Sequence, residues 1–140
     1  MSDNLLEIKD LSIHFQTENG LVKAVNNNSF TLKKGETIGI VGESGSGKSI
    51  TALSIMQLLP TIAEMPNGKI ALDTVDLAQL PKEQIEKIRG SKIAMIFQEP
   101  MTSLNPVMTC GKQVTEVIQL HQKKSFAQAK KETLELFQKV

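Results

Sequence analysis

The stretch Gly42-Glu43-Ser44-Gly45-Ser46-Gly47-Lys48-Ser49 decides the fold, because it matches the phosphate-loop pattern G-x-x-x-x-G-K-[ST] at every fixed position. The glycines at positions 42, 45 and 47 permit backbone dihedrals that a Cβ would hinder, so the amide hydrogens can point inward at a phosphate. A helix that begins near Lys48 adds the positive end of its dipole. This pattern predicts that Lys48 contacts the β- and γ-phosphates of a nucleotide and that Ser49 is a ligand of Mg²⁺.

The segments on either side of this loop favour a phosphate site over a chance glycine-rich turn. Residues 37–41 form a compact β-branched run between glycines, which is typical of a buried parallel strand. Residues 48–59 have helical length, are apolar around most of the helix circumference and stop before Pro60. A strand, a glycine loop and a helix in this order open a βαβ unit, which predicts the α/β class.

The rest of the chain predicts further strands and helices. Apolar residues at alternating positions between residues 5 and 15 indicate a strand, and Glu18-Asn19-Gly20 is a turn signal after it. Strands are also predicted over residues 21–25, 29–32, 69–72 and 92–97, and helices over residues 81–89, around residues 114–121 and from Ser125 onward. Ser125 and Gln128 form the Ser-x-x-Gln pattern of a capping box, and residues 98–106 are predicted to be a loop.

The composition argues against several classes of function. Sixteen basic and fifteen acidic residues give a net charge of +1, which offers no electrostatic case for nucleic acid or an anionic membrane surface. Five Phe with no Trp and no Tyr leave few surfaces on which single-stranded bases could stack. The single cysteine, Cys110, cannot form an internal disulfide, which indicates a reducing compartment such as the cytoplasm. The longest apolar stretch, residues 50–59, is too short and too polar to span a bilayer.

A phosphate loop alone is compatible with kinases, small GTPases, helicases and transporter ATPases. The N-K-x-D stretch with which GTPases read guanine is absent from the sequence. Two segments imitate a Walker B strand, in which four apolar residues are followed by a carboxylate. Residues 70–73 contain only three apolar residues, and residues 93–97 are followed by Gln98 where an aspartate is needed. Neither segment is accepted as a Walker B strand.

The stretch Phe97-Gln98-Glu99-Pro100-Met101-Thr102-Ser103-Leu104-Asn105-Pro106 closely resembles the Q-loop of the ATP-binding subunits of bacterial peptide-importing ABC transporters, the dipeptide, oligopeptide and nickel subfamily. Residues 35–41 and residues 67–70 with Asp76-Leu77 are similar to the same family, although Thr74 stands where the family commonly has glycine. The resemblance covers the whole chain and implies an α/β P-loop NTPase fold of the ABC type. It implies an incomplete domain: an N-terminal antiparallel β region and P-loop core over about residues 1–97, then the Q-loop and the start of a helical subdomain over about residues 98–140.

The resemblance also implies roles for single residues. Gln98 is similar to the Q-loop glutamine, whose side chain reaches Mg²⁺ and the attacking water and so senses the γ-phosphate. Phe15 is similar to the A-loop aromatic that stacks on adenine, a contact of about 1–3 kcal/mol. Ile50 replaces a threonine found in many relatives, which leaves only its backbone amide to reach an α-phosphate. The implied cofactors are ATP and Mg²⁺.

The partners and the reaction are implied by the same resemblance. The region from Gln98 to Pro106 is expected to contact transmembrane permease subunits, and a second nucleotide-binding subunit is expected to form a dimer on the inner face of the plasma membrane. The 140 residues contain no L-S-G-G-Q signature, no Walker B aspartate with a following catalytic glutamate and no switch histidine, which comes late in domains of this family. His14 and His121 are interpreted as structural. Two hypotheses stay open: the ATP-hydrolysing subunit of a peptide importer, or a non-hydrolysing nucleotide-binding fragment.

Overall fold

The computed structural model describes residues 3–98 and 104–140, and the chain divides into two compact units. The first unit extends to Arg89, and the second is Gly90–Val140. The first contains a β-sheet and two short helices, and the second contains a pair of longer helices. Among the helices formed by the described residues, none has the length and apolar character needed to cross a membrane.

The first unit is built on a four-stranded antiparallel sheet in the order β2-β1-β3-β4. Its strands are β1 Asn4–Thr17, β2 Gly20–Lys33, β3 Ala63–Leu72 and β4 Val75–Asp76. β1 pairs with β2 on one side and with β3 on the other, and Thr17 lies opposite Gly20 across a tight turn. The predicted antiparallel N-terminal region and its turn are therefore confirmed.

One prediction within this sheet is wrong, because residues 21–25 and 29–32 belong to a single strand, β2, rather than to two. The three asparagines between them have low β-propensity, and a bulge accommodates them. Asn27 adopts a φ of +52°, and its N–H donates to the Ser12 hydroxyl at 3.0 Å. A second bulge, at Asp10, is held by Ser29, whose hydroxyl accepts from the Asp10 N–H at 2.8 Å. These side-chain hydrogen bonds stand in for interstrand bonds, so β2 continues through the polar run.

The two helices of the first unit are α1, Lys48–Ile55, and α2, Lys82–Ile88. α1 is shorter than the predicted helix over residues 48–59, because Gln57 adopts a left-handed φ of +52° and its N–H bonds the Ser54 carbonyl at 3.0 Å. α2 begins after Pro81 and agrees with its prediction to within one residue at each end. The core of this unit combines residues of β1 with β3, the 3-10 turn Leu77–Gln79 and α2; its most buried apolar side chains are Ile8, Leu11, Ile13, Ile70, Leu77 and Ile85.

Two predicted strands are not formed. Residues 37–41 have no regular secondary structure, and within residues 92–97 only Ile93 carries an isolated bridge. Neither segment contains a buried residue, and Val41 and Ile96 have relative accessibilities of 96% and 92%. The physical reason is that a buried parallel strand needs hydrogen-bonded neighbours, and no described strand pairs with either segment. The apolar composition of these segments is typical of strands, but a strand forms only when such a neighbour is present.

The second unit is a helical hairpin of α3, Cys110–Gln122, and α4, Phe126–Phe137. The predicted capping box at the start of α4 is confirmed: the Ser125 hydroxyl accepts from the Gln128 N–H at 3.4 Å, and the Gln128 side chain accepts from the Ser125 N–H at 3.0 Å. The helices meet through a hydrogen bond of 2.9 Å between the buried hydroxyls of Thr115 and Thr133. Ala129 is fully buried beside them, whereas Phe126 is exposed.

Candidate phosphate-binding site

The phosphate-loop motif forms a compact turn that leads directly into α1. The Ser46 N–H donates to the Glu43 carbonyl at 3.2 Å, which closes the turn. Gly45 and Gly47 adopt φ values of +81° and +87°, in the left-handed region that residues with a Cβ rarely enter. The backbone conformation of the loop therefore favours glycine at two of its three glycine positions, Gly45 and Gly47.

Gly47 also brings the loop into close contact with the sheet. A Cβ built at Gly47 would overlap the backbone carbonyl oxygen of Ala24 and would lie 3.2 Å from Cγ2 of Val25, both in β2. By contrast, a Cβ at Gly45 would meet no atom within 4 Å. The loop is thus packed against β2 at its last residue and open at its middle, where a ligand can approach.

The first turn of α1 offers free hydrogen-bond donors at the end of this loop. Its first intrahelical bond runs from the Thr51 N–H to the Gly47 carbonyl at 2.9 Å. The amides of Lys48, Ser49 and Ile50 precede that bond and have no acceptor within the helix. They lie at the positive end of the helix dipole, where anions are stabilised. The Ser49 side chain is exposed beside them, while Ile50 is half-buried.

The Lys48 ammonium folds back across the loop. Its Nζ donates to the carbonyl oxygens of Gly42 and Glu43, both at 2.7 Å, and to the Ser46 hydroxyl at 3.2 Å. Hydrogen bonds from an ammonium to anionic oxygens are stronger than those to neutral carbonyls. A phosphate can therefore take the place of these carbonyls, and the loop already carries the positive charge that a phosphate needs.

Phe15 lies at the same end of the sheet as the phosphate loop. It is half-buried in β1, opposite Val22 of β2 and Ala63 of β3. Two residues earlier in β1, Ile13 pairs with Val25, which borders Gly47. A strand rises by about 3.3 Å per residue. Phe15 therefore lies two residues further along β1 than the point where the loop meets β2. Its predicted stacking on adenine stays a prediction.

The donors around this loop fit Mg²⁺ only together with a phosphate. Across residues 3–98 and 104–140, no group of three or more His, Cys, Asp and Glu side chains could hold a metal ion by itself. Mg²⁺ commonly binds proteins through one or two oxygen ligands and completes its shell with phosphate oxygens and water. The exposed Ser49 hydroxyl, next to free phosphate-binding amides, suits that mode of binding.

The sequence profile of the ABC transporter family matches residues 25–140, most of the chain. The chain belongs to the ABC transporter family. Among its relatives, the oligopeptide transport ATP-binding protein OppD of Bacillus subtilis is 50% identical over 97% of this chain and 38% of its own length. The dipeptide transport ATP-binding protein DppD of Lactococcus lactis is 49% identical over 99% of this chain and 40% of its own. The chain thus spans about two fifths of the length of these relatives.

Solved structures of ABC cassettes show the same fold. The ATP-binding cassette MJ0796, in a dimeric post-hydrolysis state bound to ADP and Pi, superposes with a TM-score of 0.80 at 26% identity. The superposition covers 93% of this chain and 54% of that one. A second dimeric structure of MJ0796, described as a bacterial ABC transporter cassette, gives the same TM-score. The expected ABC-type α/β fold is thereby confirmed.

The predicted Q-loop of this ABC transporter chain is described only at its ends. Gln98 is exposed and lies in the second unit, and residues 99–103 of the predicted Q-loop lie outside the described residues. Beyond them, Asn105 is tied to α3 by Gln113, whose side chain accepts from the Asn105 N–H at 2.9 Å. The Gln113 side chain also donates to the carbonyls of Asn105 and Met108, both at 3.1 Å. The far end of the predicted loop is therefore fixed to the helix that follows it.

Sequence reasoning missed several residues that shape the site. Thr51 is buried, and its hydroxyl donates to the Gly47 carbonyl at 3.0 Å, which reinforces the first turn of α1. Its spacing of four residues from Gly47 could have indicated this bond. The contact of Gly47 with Ala24 and the hydrogen bonds of Gln113 with Asn105 depend on tertiary structure, so no local sequence pattern predicts them.

Proposed function

We propose that this chain binds Mg-ATP as the nucleotide-binding part of the energising subunit of an ABC importer for peptides. The observation that carries the proposal is the phosphate loop itself, in which eight consecutive residues supply the Lys48 ammonium, the first α1 amides and two left-handed glycines. Such a constellation is suited to a polyphosphate, because fixed N–H donors and one cation can share its charge.

The residues of the loop are proposed to act together on the phosphates. The N–H groups among residues 43–50 hold phosphate oxygens, except that of Ser46, which closes the turn by donating to the Glu43 carbonyl. Lys48 exchanges its carbonyl partners for the β- and γ-phosphates. Ser49 supplies a hydroxyl ligand to Mg²⁺, and the metal offsets the negative charge of the phosphates. Ile50 contributes only its amide. On the basis of the family resemblance, we also propose that Gln98 senses the γ-phosphate and Mg²⁺ and that Phe15 stacks on adenine.

The transport part of the proposal rests on the relatives. Proteins named for oligopeptide and dipeptide transport are about half identical to this chain over nearly its full length. We therefore propose permease subunits as partners of residues 98–106 and a second nucleotide-binding subunit as a dimer partner, at the inner face of the plasma membrane. Within this assignment, about residues 1–97 form the β-rich region and P-loop core, and about residues 98–140 form the Q-loop and the start of a helical subdomain. ATP hydrolysis coupled to peptide uptake is proposed for the whole protein.

A second candidate is a nucleotide-binding fragment that does not hydrolyse ATP. Its basis is that the Lys48 ammonium and the α1 amides are hydrogen-bond donors that bind and orient phosphates and do not themselves activate water. Without a group that activates water, a bound triphosphate can be positioned but not attacked efficiently. Phosphate release from Mg-ATP separates the candidates: sustained turnover that is lost in Lys48→Ala supports hydrolysis by this chain, and binding without turnover supports the fragment.

ATP binding is tested by replacing Lys48 with Ala. Loss of a charge-assisted phosphate contact should weaken Mg-ATP binding by about 1.5–3 kcal/mol, or roughly 10- to 150-fold in dissociation constant. The measurement is titration calorimetry, with circular dichroism to show that each variant is folded. Lys34→Ala is the matched control: it removes the same charge from an exposed side chain that pairs only loosely with Asp73, at 3.8 Å. Equal ATP affinity in Lys48→Ala and wild type would contradict the proposal.

A further inference from the structure

The C-terminal end of α1 is held by a residue distant in sequence. Arg89 donates from Nε to the Met56 carbonyl at 2.8 Å and from Nη2 to the Gln57 carbonyl at 2.5 Å. Met56 is the C-cap of α1, and Gln57 is the left-handed residue that ends it. One guanidinium thus binds both carbonyls at the point where the phosphate-loop helix stops.

These two carbonyls need an external partner. The last turn of α1 contains no basic residue of its own, so the helix supplies no local cation to its negative end. Backbone carbonyls at a helix C-terminus lack acceptable donors within the helix and must find them elsewhere. Arg89 supplies both the donors and the charge from more than 30 residues along the chain.

The base of the Arg89 side chain is itself fixed. Its backbone N–H donates to the Ile85 carbonyl at 3.0 Å, at the end of α2. Ile85 is buried in the core of the first unit, which anchors α2. Arg89 is half-buried, and it is the single arginine among the 16 basic residues of the chain. A planar guanidinium can hold two acceptors in a fixed fork, whereas the flexible ammonium of a lysine cannot hold them in the same geometry.

α1 is therefore fixed at both of its ends. At the start, Gly47 packs against the Ala24 carbonyl in β2. At the end, Arg89 donates hydrogen bonds to the Met56 and Gln57 carbonyls. The eight residues of α1 rise about 12 Å in total, so the Arg89 hydrogen bonds lie roughly that far from Lys48. A short rigid helix transmits a change of direction at one end to the donors at the other.

We propose that Arg89 is a positioning residue for the phosphate loop. Its two hydrogen bonds to the end of α1 set the direction in which the Lys48 ammonium and the first α1 amides face the phosphates. This inference rests on the proposed function, because it concerns the same nucleotide site. Arg89 is not expected to contact the nucleotide.

The test compares Arg89→Ala and Arg89→Lys with wild type in the full 140-residue chain. We expect the Mg-ATP dissociation constant to rise about tenfold in Arg89→Ala, equivalent to one lost charged contact, and by a smaller factor in Arg89→Lys. Backbone amide exchange in α1 should accelerate in the same order. All affinities are measured at a temperature where circular dichroism shows each variant folded, so that a purely structural loss of stability does not move them. Lys82→Ala is the matched control, since it removes one charge from α2 at an exposed side chain.

Each outcome decides the proposal. ATP affinity unchanged in folded Arg89→Ala, with wild type binding normally, overturns the positioning role and leaves the proposed function intact. No ATP binding by wild type overturns both. If Arg89→Ala does not fold, Arg89→Lys decides alone: folded protein with wild-type affinity overturns the proposal, and folded protein with weakened affinity supports it. A loss of affinity in Lys82→Ala equal to that in Arg89→Ala would show a general charge effect and would also overturn it.

Discussion

A pair of glycine substitutions would measure how strongly the phosphate loop is held against the sheet. Gly45 and Gly47 have nearly the same left-handed φ, +81° and +87°. Gly45→Ala and Gly47→Ala therefore share the backbone penalty of a Cβ in this region, about 1–2 kcal/mol. They differ in space, because a Cβ at residue 45 meets no atom within 4 Å and one at residue 47 overlaps the Ala24 carbonyl.

That overlap sets the size of the expected difference. A backbone carbonyl in a paired strand cannot swing aside as a flexible side chain can, so Gly47→Ala must shift either α1 or β2. Forced displacements of this kind cost about 1–3 kcal/mol. We expect Gly47→Ala to lower the free energy of unfolding by that amount more than Gly45→Ala does. With a urea m-value of about 1 kcal/mol/M, the two unfolding midpoints should differ by about 1 M or more.

Urea unfolding followed by far-ultraviolet circular dichroism suits this chain, since it has no Trp or Tyr for fluorescence. Equal m-values for the two variants would show that only stability has changed. Coincident midpoints would refute the reasoning, because they would mean that the contact between Gly47 and β2 contributes nothing beyond the shared dihedral penalty.

Two further predictions concern the second unit. Gln113→Ala removes the hydrogen bonds that tie Asn105 to α3, so we expect faster amide exchange at Asn105 and a loss of about 1 kcal/mol in stability. The Lys124 ammonium, which hydrogen-bonds the Glu132 carboxylate, holds the pKa of that carboxyl below its ordinary value of 4.5. The unfolded chain therefore binds this proton more readily, so the stabilisation is present above about pH 4.5 and is lost as the pH falls through the lowered pKa. Glu132→Gln should lose this acid dependence in urea unfolding measured over a series of pH values.

Matched variants on the same helices control both predictions. Gln122→Ala, at the other end of α3, should leave exchange at Asn105 unchanged. Glu135→Gln alters an exposed carboxylate of α4 that pairs with Lys131 only at 4.0 Å, and it should keep the acid dependence of wild type. Exchange at Asn105 that is equal in Gln113→Ala and wild type would contradict the first prediction. A pH profile of Glu132→Gln parallel to that of wild type would contradict the second.

The features that the sequence predicted well are those set by local chemistry. The turn and the helix start at the phosphate loop follow from glycines and a lysine within eight consecutive residues, and the capping box follows from Ser125 and Gln128 alone. The β1–β2 hairpin follows from alternation and a tight turn, and only the asparagine run misled the prediction of its second strand. The family resemblance, carried by residues 97–106, predicted the ABC fold that the profile and solved cassettes confirm.

The features that sequence could not predict depend on distant partners. Arg89 and Met56 are 33 residues apart, and neither residue is marked by a pattern that would join them. The strands predicted over residues 37–41 and 92–97 are wrong because a strand forms only when it is hydrogen-bonded to a neighbouring strand. The local composition of a segment does not show whether such a neighbour is present. The contact between Gly47 and Ala24 also depends on a distant partner. The motif predicts the glycine, but it does not predict the Ala24 carbonyl of β2 that leaves no space for a Cβ there.

The contacts that hold the phosphate site converge on α1. Val41 is almost fully exposed and leads into Gly42 without pairing to any described strand. The loop is held by Gly47 against β2 and by Lys48, which donates to the Gly42 and Glu43 carbonyls, and Arg89 holds the far end of α1. Because these contacts act on one short helix, weakening either end of α1 should loosen the same donors. Variants at Gly47 and Arg89 should therefore be non-additive in ATP affinity, whereas two independent supports would give additive losses.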